Sequence, residues 1–164
     1  MTELRLRGFK AEDIDVIQLL WDDPETALLI SNRVSLPSQA TIIKHFTNTN
    51  TSNHRVIIAN RSNQAIGYAC YENLCSVSRT YRIGLCLLPT ARHHGLGSTS
   101  LGLLESFLSS QWMAHKLQAE VLDINEASKK LFAKSQYRCV GTMRSHFLVG
   151  GTYYDTVLFE KLIR

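Results

Sequence analysis

The sequence predicts a mixed α/β (α+β) fold, with a central, mostly antiparallel sheet of about seven strands and flanking helices. Two observations lead there. A strand–helix–strand run between residues 81 and 122 requires a parallel pair, because only a crossover returns the chain in the same direction. Hairpin signals on either side of it add antiparallel pairs, giving the order β-α-α-β-β-β-α-β-α-β-β.

Leu4-Arg5-Leu6-Arg7 alternates at period two and reads as the opening strand. Residues 11–21 carry Ile14, Ile17, Leu20 and Trp21 at helical spacing, stopped by Asp23-Pro24. Ser38 is an N-cap for a second helix through Phe46, with Ile42, Ile43 and Phe46 on one side. Residues 55–60 and 65–74 form two strands around Arg61-Ser62-Asn63-Gln64, and residues 81–88 a third, stopped by Pro89. After Gly97 the spacing of Leu101, Leu104 and Leu108 predicts a helix of about four turns. A strand at 117–122 and a helix at 125–135 follow, the latter with Ala127, Leu131 and Phe132 inward. Strands at 137–149 and 152–162 flank Gly150-Gly151, a hairpin turn.

A chain of 164 residues is read as one domain, 1–164, large enough to bury a core. Its apolar runs are far too short to span a bilayer, and Met1-Thr2-Glu3-Leu4-Arg5 lacks the apolar run of a signal peptide. A cytoplasmic protein without a membrane partner is expected. The charge of +4, from 18 basic and 14 acidic residues, is scattered and forms no basic stripe, so no nucleic-acid partner is expected. Cys70, Cys75, Cys86 and Cys139 lie in apolar segments without metal-ligand spacing, and are expected as buried thiols with no metal.

The informative stretch is Arg92-His93-His94-Gly95-Leu96-Gly97, between a strand and a helix. Two glycines allow close approach of a ligand, and the first helical turn offers unpaired N–H groups and a positive dipole end. This suits a pyrophosphate, although a plain tight turn also uses two glycines. Gly97-Ser98-Thr99 lacks the lysine of a P-loop, and Ser100 stands where a dinucleotide fingerprint has its third glycine. Asp123 keeps a dinucleotide-binding domain as a lesser alternative.

Arg92-x-x-Gly95-x-Gly97 resembles the Arg/Gln-x-x-Gly-x-Gly/Ala signature of the GNAT superfamily of acyl-CoA N-acyltransferases. Leu85-Cys86-Leu87-Leu88-Pro89 looks like the strand before it, and residues 125–134 are similar to the family's Asn-x-x-Ser/Ala helix. Arg144-Ser145-His146-Phe147 and Gly150-Gly151-Thr152-Tyr153-Tyr154-Asp155 resemble the branch with ribosomal-protein alanine and spermidine acetyltransferases.

The resemblance implies acetyl-CoA as co-substrate and a primary amine as acceptor: a protein N-terminus, a polyamine, an amino sugar or another small molecule. Backbone amides across Arg92, His93, His94, Gly95, Leu96, Gly97 and Ser98 would hold the pyrophosphate. The strand ending near Leu87 would splay from 117–122, its Leu87 backbone pairing with the pantetheine arm. Asn125 would bond that arm or simply cap its helix. A homodimer through exposed strand edges is compatible with the family.

The implied mechanism is direct attack of the amine on the thioester, aided by a base and by an acid for the thiolate. Much of the superfamily uses a tyrosine acid where this sequence has Phe132, so Ser128, one turn earlier on the same face, takes that role, with Phe132 beside the cofactor. Ser128 equally fits as a small polar residue of an amphipathic helix. Glu72 and His146 stand ahead of Glu120 and Asp123 as base. Phe132 also keeps a non-catalytic acyl-CoA-binding module as the alternative function. Gln136 stands where the family has glycine, which predicts a different helix end. Residues 21–37 are expected to line the acceptor pocket, with Trp21, Asp22 and Asp23 selecting a cation or, for the aspartates, stopping a helix.

Overall fold

The computed structural model describes residues 3–30, 37–48 and 52–163. The strands are β1 (Arg5–Arg7), β2 (Asn53–Ala59), β3 (Ala65–Cys75), β4 (Thr80–Leu87), β5 (Lys116–Leu122), β6 (Arg138–Val149) and β7 (Thr152–Leu162). They form one sheet in the order β1-β2-β3-β4-β5-β7-β6. Every neighbouring pair is antiparallel except β4 and β5, which are parallel. The helices are α1 (Ile14–Asp22), α2 (Pro24–Ile30), α3 (Gln39–Thr47), α4 (Leu96–Trp112) and α5 (Glu126–Lys134).

Strand alternation sends successive side chains to two cores. On one face Leu101, Leu104 and Leu108 of α4 and Phe132 of α5 pack over Ile83, Leu87, Leu117, Ala119 and Phe159. On the other, Ile17, Leu20 and Trp21 of α1 and Ile42 of α3 cover Ile57, Tyr68 and Cys86. Cys86 and Leu87, adjacent in β4, therefore face opposite cores. Ser38 caps α3 as its sequence position predicts, accepting from Thr41 N at 3.3 Å. Gly150 and Gly151 turn the last hairpin with φ of 56° and 83°, the pair of positive values that a type I′ turn requires.

Four expectations need correction. Asp23-Pro24 ends α1, but proline is well suited to a first helical position, so a further helix, α2, starts at once. Ala127 is exposed, because α5 turns only Phe132 fully into the core. Cys75 and Cys139 are exposed as well, one at the irregular end of β3 and one on edge strand β6; only Cys86 is fully buried. Finally, α5 ends as a glycine-terminated helix does. Gln136 takes φ 67°, Gln136 N donates to Ala133 O at 3.1 Å and Tyr137 N to Phe132 O at 3.0 Å. Those paired bonds define a Schellman turn, which needs a left-handed residue whatever its side chain.

Under β1, Arg7 grips Asp13 through two bonds of 2.7 and 2.8 Å, and Lys10 N adds a third at 2.8 Å. Burial alone would raise the Asp13 carboxyl, but these donors outweigh it and hold it below the usual range. A depressed folded value means that the carboxylate stabilises fully above the ordinary carboxylate range and less as pH falls through the lowered value. Asp13→Asn should therefore cost about 3 kcal/mol near neutrality, since it leaves Arg7 without its charge partner. The gap between variant and wild-type urea midpoints should narrow below about pH 4. Gln136→Gly should do the opposite, adding about 1 kcal/mol by removing left-handed strain, seen as a higher urea midpoint at unchanged slope.

Candidate active site

The sheet opens in its middle. β4 and β5 pair over three rungs only, Thr80↔Lys116, Tyr81↔Leu117 and Arg82↔Gln118. Beyond them β4 stays with β3 as far as Leu87, and β5 stays with β7 as far as Leu122. Gly67 explains how the end of β4 leans away. A side chain there would place its Cβ 2.1 Å from Cys86 O and 2.9 Å from Leu87 Cα, so only glycine lets β3 come this close. Leu88 N donates to Ile66 O of β3; by alternation the amide and carbonyl of Leu87 face the gap.

At the open end of the gap the chain turns from Pro89 into α4. His93 and Gly95 have φ of 65° and 75°, an arrangement that turns successive amides toward one side. The amide of Arg92 is used by Pro89 O at 3.2 Å, and helical bonding starts with Thr99 N to Gly95 O at 3.2 Å. Between them, the N–H groups of His93, His94, Gly95, Leu96, Gly97 and Ser98 donate to no acceptor among the described residues. Six free amides at the positive end of a 17-residue helix form a cradle for a polyanion. The chemistry of a pyrophosphate fits it. Gly95 needs its glycine for its φ, and a Cβ on Gly97 would touch Leu131 of α5 at 3.5 Å.

Along the gap lie the other expected residues. Asn125 caps α5, its Oδ1 accepting from Ser128 N at 3.0 Å, which leaves its amide nitrogen and a second lone pair of that oxygen for a ligand. The Ser128 hydroxyl makes no hydrogen bond among the described residues. Phe132 is 4% exposed and packs against Tyr137 at 5.0 Å and Phe159 at 5.8 Å. The Leu87 carbonyl already accepts from Arg92 Nε at 3.0 Å.

Glu72, Glu120 and His146 come together on the face opposite α4, through a residue that sequence reasoning missed. Arg82, on the last rung before the gap, lies 3.8 Å from Glu72 and 3.2 Å from Glu120. Glu120 in turn lies 3.9 Å from His146 Nε2. The four side chains make a row across β3, β4, β5 and β6. Strand alternation around Glu72 was the available signal, but the register that sets Arg82 opposite it is not written locally. Asp123 stands apart from the row at the end of β5, its amide bonded to Asp155 O at 3.0 Å. Cys86, near the gap, is no alternative nucleophile: burial pushes its thiol up to about 12, so it carries almost no thiolate at neutral pH.

Of the expected acceptor segment, residues 31–36 lie outside the described residues. Trp21 faces the core and donates to Tyr68 OH at 3.2 Å. Asp22 is exposed and accepts from Gln18 at 2.7 Å. Asp23 caps α2 by accepting from Thr26 N at 2.9 Å.

A sheet that parts along one parallel pair, with an amide cradle at the mouth, fits an N-acetyltransferase. The chain belongs to the GNAT acetyltransferase domain family, whose profile matches residues 3–138. No curated protein matches the sequence. Among solved structures, the fold is similar to that of the spermidine N-acetyltransferase from Vibrio cholerae in complex with CoA and spermine. The TM-score is 0.85 at 16% identity, over 97% of this chain and 95% of that one. A putative phosphinothricin N-acetyltransferase matches at 0.80 and 15% identity, over 99% of both chains. A dodecameric structure of the Vibrio cholerae enzyme matches at 0.77 and 16% identity, over 97% of this chain and 93% of that one. No helix among the described residues is long and apolar enough to cross a membrane.

Gly95→Val should weaken acetyl-CoA binding tenfold or more, by about the strain of a β-branched residue at positive φ. Titration calorimetry on a variant with an unchanged circular dichroism spectrum measures it. Wild-type affinity in that variant would mean that the loop is only a turn.

Proposed function

We propose that this protein moves the acetyl group of acetyl-CoA onto a primary amine by direct attack, within a single domain of residues 1–164. The amine nitrogen forms the new bond to the carbonyl carbon, the carbon–sulfur bond breaks, the amine loses a proton and the thiolate gains one. The observation that carries this reading is the run of six unbonded amides, His93 to Ser98, opening into a strand gap. They would bind the pyrophosphate, and the Leu87 backbone, Asn125 and Phe132 would line the path of the pantetheine arm.

Ser128 is the proposed proton donor to the thiolate: its hydroxyl has no partner among the described residues, and Phe132, one turn on, cannot donate. Glu72 and His146 remain the proposed bases. Both belong to the row of charges joined by Arg82 and Glu120. The acceptor class is a primary amine of a protein N-terminus, a polyamine, an amino sugar or another small molecule. Polyamines are the first to test, given the likeness to the spermine-bound enzyme. A cytoplasmic site of action suits four unpaired cysteines. Homo-oligomer formation through the exposed edge strand β6 suits its burial pattern, exposed on both faces over most of its length.

Calorimetry with acetyl-CoA, NAD and ATP tests the cofactor. Selective acetyl-CoA binding supports the reading, and its absence overturns it. Release of CoA thiol with a panel of amines then tests catalysis; binding without release would favour a non-catalytic module, the role for which Phe132 speaks. Ser128→Ala should lower turnover about tenfold or more with acetyl-CoA binding little changed. Unchanged turnover removes Ser128 from the mechanism, and pH–rate profiles unmoved by Glu72→Gln and His146→Gln remove both bases.

A further inference from the structure

The arginine that opens the phosphate-loop signature sends its side chain away from the cradle. Arg92 Nε donates to Leu87 O at 3.0 Å, and its terminal nitrogen donates to Thr26 Oγ1 at 2.6 Å, across 66 residues of sequence. Thr26 hands the contact on: its hydroxyl donates to Asp23 Oδ2, the same oxygen that accepts from Thr26 N at 2.9 Å. Asp23 is thus both the cap of α2 and the anionic end of a chain that begins on Arg92. The Thr26 bonds, with the Arg92 charge behind them, hold the Asp23 carboxyl below its ordinary range.

The burial of α2 shows what this chain does. Thr26 is the only fully buried residue of its seven, at 1% exposed. A seven-residue helix has little stability of its own, and of its apolar side chains Ile30 alone packs against a core, and only partly buried. Its position therefore rests on a polar anchor as well, and that anchor is the guanidinium of the cofactor loop. A guanidinium is suited to the task because it is planar, always charged, and holds two acceptors at a fixed angle.

We propose that Arg92 is a positioning residue that couples occupancy of the cofactor loop to α2, the helix at the start of the acceptor-side segment. The proposal rests on the reading that the loop binds acyl-CoA. An anion on the amides of residues 93–98 fixes the loop, the fixed loop holds Arg92, and Arg92 holds α2 through Thr26. Linkage makes the effect reciprocal: whatever orders α2 tightens the cofactor by the same factor, typically about fivefold or more where such coupling exists.

Hydrogen exchange by mass spectrometry on the full chain, with and without CoA, tests this without any acceptor. In the wild type, CoA should slow exchange in peptides covering 92–98 and in peptides covering 24–30. Thr26→Val, at CoA concentrations that saturate the loop, should keep the first response and lose the second, while Thr26→Ser restores it. Arg92→Lys, which keeps the charge but cannot bridge Leu87 O and Thr26 together, should behave like Thr26→Val and serves if that variant does not fold. A response in 24–30 that survives both variants overturns the coupling, as does a wild-type α2 indifferent to CoA while the loop responds. If neither segment responds and calorimetry shows no CoA binding, it is the acyl-CoA reading that fails, and the coupling falls with it.

Discussion

The parting of β4 from β5 after three rungs is the constraint on which the rest of the architecture turns. A central strand normally satisfies its backbone on both sides. Here β4 is paired on one side with β3 along its whole length, while its other side has no strand partner beyond Arg82. The close approach of β3 that Gly67 permits and the turn at Pro89 accompany the parting, which leaves a slot without strand pairing inside an otherwise continuous sheet. The amide cradle stands at the end of that slot because α4 must begin where β4 ends. Both halves of the site are therefore consequences of one topological event.

The two faces of the sheet divide the chemistry. Odd-numbered residues of β4 pack under α4 and α5 with Leu101, Leu104 and Phe132, and so build the rigid floor. Even-numbered ones face α1 and α3, where Arg82 gathers Glu72 and Glu120. Glu120 is the best enclosed of the row's charges, with 15% of its side chain exposed, and it touches both a permanent cation and a titratable one.

Much of this was legible from sequence because the relevant signals are local. Apolar periodicity marks α4, glycine punctuation marks the loop and the last hairpin, and Ser38 and Asn125 announce helix starts. The family signature carried the splay, which no periodicity reveals. What stayed hidden depends on contacts between distant segments. Thr26 meets Arg92 across 66 residues, and Arg82 meets Glu120 only once the parallel register is known. α2 was lost because Asp23-Pro24 stops one helix and starts the next with the same two residues. Gln136 misled for another reason: its neighbours' carbonyls impose the left-handed turn, and tertiary packing of Phe132 and Tyr137 overrides the preference of the side chain.

A ligand site made of peptide amides has an evolutionary corollary. Its donors belong to the main chain, so replacement of His93, His94, Leu96 or Ser98 leaves the donor set intact. What the donor set needs is the path of the loop, with Gly95 at its positive φ, and it makes no demand on the side chains between. A site that asks so little of its side chains is compatible with the 15–16% identity at which solved structures share this fold.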